Sequence, residues 1–324
     1  MNSSDGPRGA AGAAAAMCCV GTLAAVSATL RDYPVFGGQA LRYAVAAAIL
    51  FSADAIGARL LGSRRPAPPA TRRWFPRGRR EWALLAALAA TGLAGFNVCV
   101  ILATGYAGPA TVGTVIATVP ILLALIAPLL ARRRPRPLLV AGAAVVATGA
   151  AVTNGLGGGS GPGLLLSLGA LAGEVCFSLL AVPLLPVLGP VRVSAYSAAL
   201  AAPMLFATGL IVDGRDVLRM PTAGEAAGLA YLGVFVTTVA FFLWYDALGR
   251  LGADRAGLFA GLIPVSAVIT TMALGLGRPG TADLVGAALV AAGVVVGLRP
   301  PPAPRPAPAV RVRVPRPVRP GGRL

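Results

Sequence analysis

Long apolar runs, broken by proline, glycine and arginine, make up most of this chain. Ten of them reach roughly 18–23 residues, enough for a helix to cross about 30 Å of hydrocarbon. Their approximate limits are Ala10–Leu30, Val35–Ile56, Trp82–Thr104, Pro109–Ala131, Pro137–Gly155, Pro162–Val182, Arg192–Val212, Ala226–Ala247, Ala253–Gly275 and Thr281–Leu298. The first has only Arg8 ahead of a long apolar run, so it reads as an uncleaved first span rather than a signal peptide. The pattern predicts an all-α integral membrane protein with ten transmembrane helices.

Composition agrees. Hydrophobic residues make up 56% of the chain, charged residues 12%, and the mean hydropathy is +0.78. A soluble domain carries about twice that share of charge. The net charge of +17 does not imply nucleic acid, because the arginines fall in loops and a tail. There is no Lys and no His, which removes the commonest general base and metal ligand. The four cysteines lie inside apolar runs at spacings that fit neither a zinc site nor a disulfide framework. Without Lys there is no phosphate-cradling nucleotide loop either, so neither a metal nor a cofactor is expected.

Loop arginines set orientation. With the N-terminus inside, 23 of the 28 arginines fall in inner loops or termini. Four are outside (Arg31, Arg215, Arg219 and Arg278) and Arg42 lies within the second span. Both termini are therefore expected on the cytoplasmic side of a cell (inner or plasma) membrane. Two stretches do not span: the basic inner loop Gly57–Glu81 and the Pro/Arg-rich tail Arg299–Leu324, which is expected to be disordered. The tail suits contact with anionic lipid. The balance favours a solvated tail that helps fix topology.

The chain also contains one unit twice. Asn97–Thr153, moved forward by 144 positions, aligns without a gap on Phe241–Gly297, with 15 of 57 positions identical. A chain this rich in Ala, Gly, Val and Leu matches by chance at about seven of those positions. The matches include Gly105/Gly249, Gly113/Gly257, Pro120/Pro264, Gly142/Gly286 and Gly149/Gly293. Five spans per half is an odd number, so the copies are expected to insert in opposite orientations. Loop charge agrees: the loop after the fourth span reads ARRRPRP, and its counterpart after the ninth reads GRPGTAD. The predicted organisation is an N-terminal segment 1–9, a first five-helix repeat 10–155, a second 162–298, and the tail 299–324.

Tyr231 opens YLGVFVTTVAFFLWYDALGRLGADRAGLFAGLIPVSAVIT, and LVGAALVAAGVVVG follows from Leu284. ATGYAGPATVGTVIATVPILLAL, AGAAVVATGAAV and, from Gly37, GGQALRYAVAAAIL stand in matching order in the first half. Together they resemble EamA-type transporters of the drug/metabolite transporter superfamily over most of residues 10–298. The resemblance implies a ten-helix inverted repeat that exports metabolites or drugs through a central cavity. One departure is clear. Family members often carry a Gly-Glu pair before the fifth and tenth spans, where this chain has Arg133-Arg134 and Gly277-Arg278.

The candidate site residues lie within spans. Pro120 and Pro264 each remove a backbone donor at matched mid-span positions and free the carbonyls of Ile116 and Ala260. Paired breaks near the midplane suggest a binding site or hinge, against ordinary tolerated kinks. Glu174 stands near the middle of the sixth span, on one helix face with Ser167 and Ser178. A carboxylate at that depth costs about 2.5–3.5 kcal/mol on insertion scales, which calls for a polar cavity and a purpose. It suits a proton carrier or a partner for a cationic substrate; the alternative is a packing role, paired with Arg42. The run AGEVCFS is similar to the first helix of small multidrug resistance proteins. Arg42 either snorkels or meets an anionic substrate group. Thr114 and Thr118, with Thr111, form one face of the fourth span, lining a path or bonding back to the helix. Asn97 is costly against lipid and is expected to point inward. Trp82 and Trp244-Tyr245 suit an interfacial belt.

The reading is a secondary transporter, with a small-molecule substrate and the bilayer as partners. A non-transporting membrane sensor or assembly partner is the alternative; a membrane-embedded enzyme is weaker, for want of clustered acids or His. Alkaline-phosphatase fusions at Gly157 and Gly214 are expected to be active outside; an inactive fusion at either overturns the span count.

Overall fold

A computed structural model describes residues 5–27, 30, 32–61, 73–155, 160–275 and 278–299. Among these, ten helices are long and apolar enough to cross a membrane. They are α1 (Gly6–Ser27), α2 (Val35–Gly57), α3 (Arg79–Tyr106), α4 (Pro109–Leu130), α5 (Pro137–Asn154), α6 (Gly161–Leu179), α7 (Leu185–Val212), α8 (Ala223–Leu251), α9 (Ala253–Ala273) and α10 (Thr281–Leu298). The tail from 300 onward and residues 62–72 of the inner loop fall outside the described residues.

Helix starts follow from local chemistry. Proline opens α4 and α5, where its missing N–H would be unsatisfied anyway. Ser160 caps α6 and a Thr222–Glu225 capping box opens α8. α7 begins earlier than the apolar pattern suggested. A short turn from Leu185 joins the main helix across Gly189, whose φ of 77° breaks the helical path just before Pro190. The run starting at Arg192 is therefore the straight part of a longer element.

The helices pack across the two halves of the chain. The largest contacts join α5 with α10, α2 with α7, α1 with α8, and α3 with α6. α1 also packs on α9, and α6 on α4. Each of these pairs has its counterpart when the halves are exchanged. Pair by pair, the contacts run antiparallel. Gly142 meets Gly293 and Gly297, while Gly149 meets Gly286. Gly37 meets Val217 near the far end of α7, while Asp54 pairs with Arg192 near its start. Backbone-to-backbone approach explains the glycines: a Cβ on Gly142 would lie 2.6 Å from Gly297 Cα, and one on Gly149 2.7 Å from the Gly286 carbonyl oxygen.

One end of the bundle is arginine-rich. There Arg192 Nε donates to Asp54 Oδ2 at 2.7 Å and its guanidinium lies 4.4 Å from the Trp74 ring centroid. Arg136 reaches the Arg299 carbonyl at 3.0 Å, joining the start of α5 to the end of α10. At the other end Arg219 pairs with Glu225, and the Tyr33 hydroxyl donates to the Arg219 carbonyl at 3.0 Å.

Besides α7, four helices are irregular in two matched pairs. α3 carries a π-helical stretch over Leu88–Gly95 and α8 one over Leu232–Val239, again 144 residues apart. α4 divides into Pro109–Ile116 and Val119–Leu130. α9 runs through a 3₁₀ segment, Gly257–Gly261, before Leu262–Ala273. Pro120 and Pro264 stand near the start of the second piece of each.

Replacing Gly149 by Leu is expected to force α5 and α10 apart and cost about 1–3 kcal/mol. Thermal unfolding in detergent reads this as a lowered Tm. Gly105→Ala, where a Cβ meets nothing within 4 Å, is the control expected to stay near wild type.

Candidate functional site

The irregular helices surround one cavity of about 690 Å³, within the range of roughly 300–1,000 Å³ usual for small-molecule sites. It reaches from Ser27, Thr104, Pro109 and Asn154 at the arginine-poor end to Glu174, Phe177 and Trp244 deeper in the bundle. Arg42, Asn97, Pro120 and Pro264 also line it. So do Ile116 and Ala260, four residues before the two prolines.

Most of the wall is apolar or aromatic, and its polar groups are few. Glu174 is half-buried and has no hydrogen-bond or ion-pair partner among the described residues. Arg42 is 6% exposed. Its Nε donates to Thr237 Oγ1 at 2.6 Å, and its guanidinium carbon lies 5.0 Å from the Tyr43 ring centroid. The Thr237 hydroxyl in turn donates to the Leu232 carbonyl five residues back at 2.9 Å, inside the π-helical stretch. No ion pair joins Arg42 to Glu174 among the described residues, so mutual neutralisation is not how either charge is held. Asn97 Nδ2 donates to the Leu93 carbonyl at 2.7 Å and to the Tyr43 hydroxyl at 3.1 Å.

Below Glu174 the cavity ends on aromatic rings. Phe177 lies 5.0 Å from both Phe241 and Tyr245, centroid to centroid, and Tyr43 lies 6.0 Å from Phe241. Trp244 Nε1 donates to Ser178 Oγ at 3.3 Å. Beyond the rings, the halves of α4 and α9 nearer the arginine-rich end pack together, with Leu123 against Gly257. The other halves, Pro109–Ile116 and Leu262–Ala273, both line the cavity.

The comparisons with known proteins bear on what such a cavity is for. Residues 8–155 and 161–299 each match the EamA-like transporter family. The chain belongs to that family. It is 25% identical over 264 residues to the uncharacterized transporter YetK of Bacillus subtilis (strain 168), covering 79% of this chain and 76% of that one. A protein of known crystal structure superposes with a TM-score of 0.71 at 23% identity, covering 92% of this chain and 97% of its own, a likeness that carries the fold. This EamA-like protein is therefore a multi-pass membrane transporter, in contact with lipid and acting on a small molecule.

The structure brings Glu174, Arg42, Asn97, Pro120 and Pro264 of this EamA-like transporter to one cavity and leaves three other candidates outside it. Ser178 is fully buried behind Trp244. Thr114 donates to the Gly155 carbonyl at 2.9 Å, and Thr118 back to the Val115 carbonyl at 2.7 Å. Both hydroxyls are spent on backbone groups near the break in α4. Trp244 and Tyr245 are 2% and 0% exposed, so they form the cavity floor and its backing instead of an interfacial belt. Trp82, at 42%, is exposed as a belt residue would be. Sequence reasoning missed Tyr43, Phe177, Phe241 and Asn154 as lining residues. Asn154 carried a usable signal: a polar residue closing an apolar span, opposite the paired Gly113. The aromatics carried none, because in an apolar span a ring facing lipid and one facing a cavity look alike.

Proposed function

We propose that this EamA-like transporter is a secondary exporter of small metabolites or drugs. It works by alternating access in the cell membrane, with both termini cytoplasmic. Glu174 carries the coupling proton or engages a cationic substrate group. The observation that carries this reading is Glu174 standing without a partner among the described residues, in a cavity bounded by two helices broken at matched positions. An unpaired carboxyl at membrane depth is expensive, and it is tolerated where a ligand or a proton completes it.

Inversion of the two halves is supported by the antiparallel crossings of α5 on α10 and α2 on α7. With the arginine-rich end inside, the cavity faces outward. The repeat then supplies the other state. The closed inner contact is Leu123 on Gly257. Moved by 144 positions, these become Ala267 and Gly113, which line the open outer half. Exchanging the conformations of the halves closes Gly113 on Ala267 and opens the inner contact.

Two experiments test this. Proteoliposome flux against a metabolite and drug panel, with and without a proton gradient, is expected to show gradient-driven transport that Glu174→Gln reduces at least about a hundredfold. Transport unchanged by the substitution removes Glu174 from the mechanism; substrate binding without flux favours a sensor. In a background without native cysteines, the pair Leu123→Cys/Gly257→Cys is expected to oxidise and leave Asn154→Cys open to an impermeant maleimide. The pair Gly113→Cys/Ala267→Cys is expected to oxidise and protect it. Failure of the second pair to form contradicts the repeat exchange.

A further inference from the structure

The segment leading into α3 is fixed to the bundle through its backbone. The Arg73 N–H donates to the Val187 carbonyl at 2.8 Å, and the Arg73 carbonyl accepts from Arg192 Nη1 at 2.6 Å. The Trp74 carbonyl accepts from the Tyr196 hydroxyl at 3.2 Å, and the Arg77 N–H donates to Glu81 Oε2 at 2.7 Å. Pro76 between them is buried. Residues 73–77 thus form a strap across the start of α7, and the same Arg192 holds Asp54 of α2. No residue of the strap lines the cavity.

The strap presents rings and unspent positive charge. Trp74 is 47% and Phe75 69% exposed, although Arg192 lies over the Trp74 ring. The exposed Trp82 packs edge-on against Tyr196 at 5.7 Å, and the Tyr196 hydroxyl is one of the groups that hold the strap. Exposed aromatic rings at the end of a membrane bundle suit headgroup depth. Arg73 faces Glu81 at 3.6 Å, the one acidic residue between Arg73 and Trp82. Arg77, Arg79 and Arg80 are exposed and form no ion pair among the described residues. Three guanidinium groups within four positions repel one another until an anion compensates them, and their planar donors match phosphate oxygens.

Rings and arginines make different demands on one ligand. A soluble phosphate compensates the arginines and leaves the rings in water. A zwitterionic phospholipid covers the rings, but its own ammonium balances its phosphate. An anionic phospholipid meets both demands. We propose that the strap is a docking site for an anionic phospholipid, its headgroup on Arg77, Arg79 and Arg80 and the upper part of its acyl chains against Trp74, Phe75 and Trp82. With the arginine-rich end inside, that lipid belongs to the inner leaflet. The site lies beyond the transport reading and does not depend on what the cavity carries.

The test uses the purified full chain in phosphatidylcholine nanodiscs and reads quenching of tryptophan fluorescence. A minor share of the lipid is phosphatidylglycerol brominated on its upper acyl carbons; the matched control carries brominated phosphatidylcholine at the same share. Trp74 and Trp82 report, since Trp244 is buried. The brominated anionic lipid is expected to quench at least about twofold more than the control, and the excess to shrink as salt is raised. Replacing Arg77, Arg79 and Arg80 together by Gln is expected to abolish the excess. Replacing the same three by Lys is expected to keep most of it, which separates loss of charge from damage to the fold. Replacing Arg132, Arg133 and Arg134, between α4 and α5, by Gln is expected to leave it unchanged. The proposal is overturned if both lipids quench wild type equally, which makes the rings a belt without headgroup preference. It is also overturned if the excess survives the Gln replacement at 77, 79 and 80, or if the replacement at 132–134 removes it as fully. Loss of the excess on adding inorganic phosphate at constant ionic strength assigns the arginines to a free anion and overturns it as well.

Discussion

Hydrocarbon offers no hydrogen bonds, so every backbone amide in this bundle needs a partner within the protein. Helices satisfy that requirement one by one, and a helix can depart from regularity only where protein or an internal cavity takes up the freed groups. The departures obey this rule. The π-helical stretches of α3 and α8 and the breaks in α4 and α9 all face the same cavity. In the π-helical stretch of α8, Thr237 and Thr238 hydroxyls bond carbonyls five residues back, at 2.9 and 2.8 Å, taking part in the altered ladder. Apart from the bend at Gly189 in α7, irregular backbone is thus gathered at one place, and that place holds Glu174, which has no partner among the described residues.

The second constraint is interlocking. Neither half keeps its helices to itself: α1 lies on α8 and α9, and α6 on α3 and α4. The glycine crossing of α5 on α10 and the α2–α7 contact hold the two halves against each other. Motion of one half therefore changes the cavity wall directly, because each wall segment belongs to a helix packed on the other half. The broken helices α4 and α9 have the fewest rigid commitments at their outer halves and the most at their inner halves, which touch through Leu123 and Gly257.

Much of the architecture was legible in the chain. The ten apolar runs, the prolines at 120 and 264, and the paired glycines are local signals, written in consecutive residues or at a fixed offset. Glu174, Arg42 and Asn97 were also visible, because a polar group within an apolar span is costly wherever it points. The π-helical stretches were not. Leu88–Gly95 and Leu232–Val239 share only their first residue, and the sequence alignment of the halves begins after the first of them. Backbone geometry here is matched more closely than side chains.

By itself the sequence determined that this chain crosses a membrane ten times, that it contains a repeated unit, and which few polar groups lie at depth. Those follow from transfer free energy, which depends on a residue and its near neighbours. Only the tertiary structure decided which polar groups meet. It turned Thr114 and Thr118 to backbone carbonyls, placed Ser178 behind Trp244, and drew Trp244 and Tyr245 into the interior. It also set Arg42 on Thr237 instead of Glu174. Such choices depend on which helix faces oppose each other, and an apolar helix in lipid carries almost no amphipathic mark to reveal its inward face.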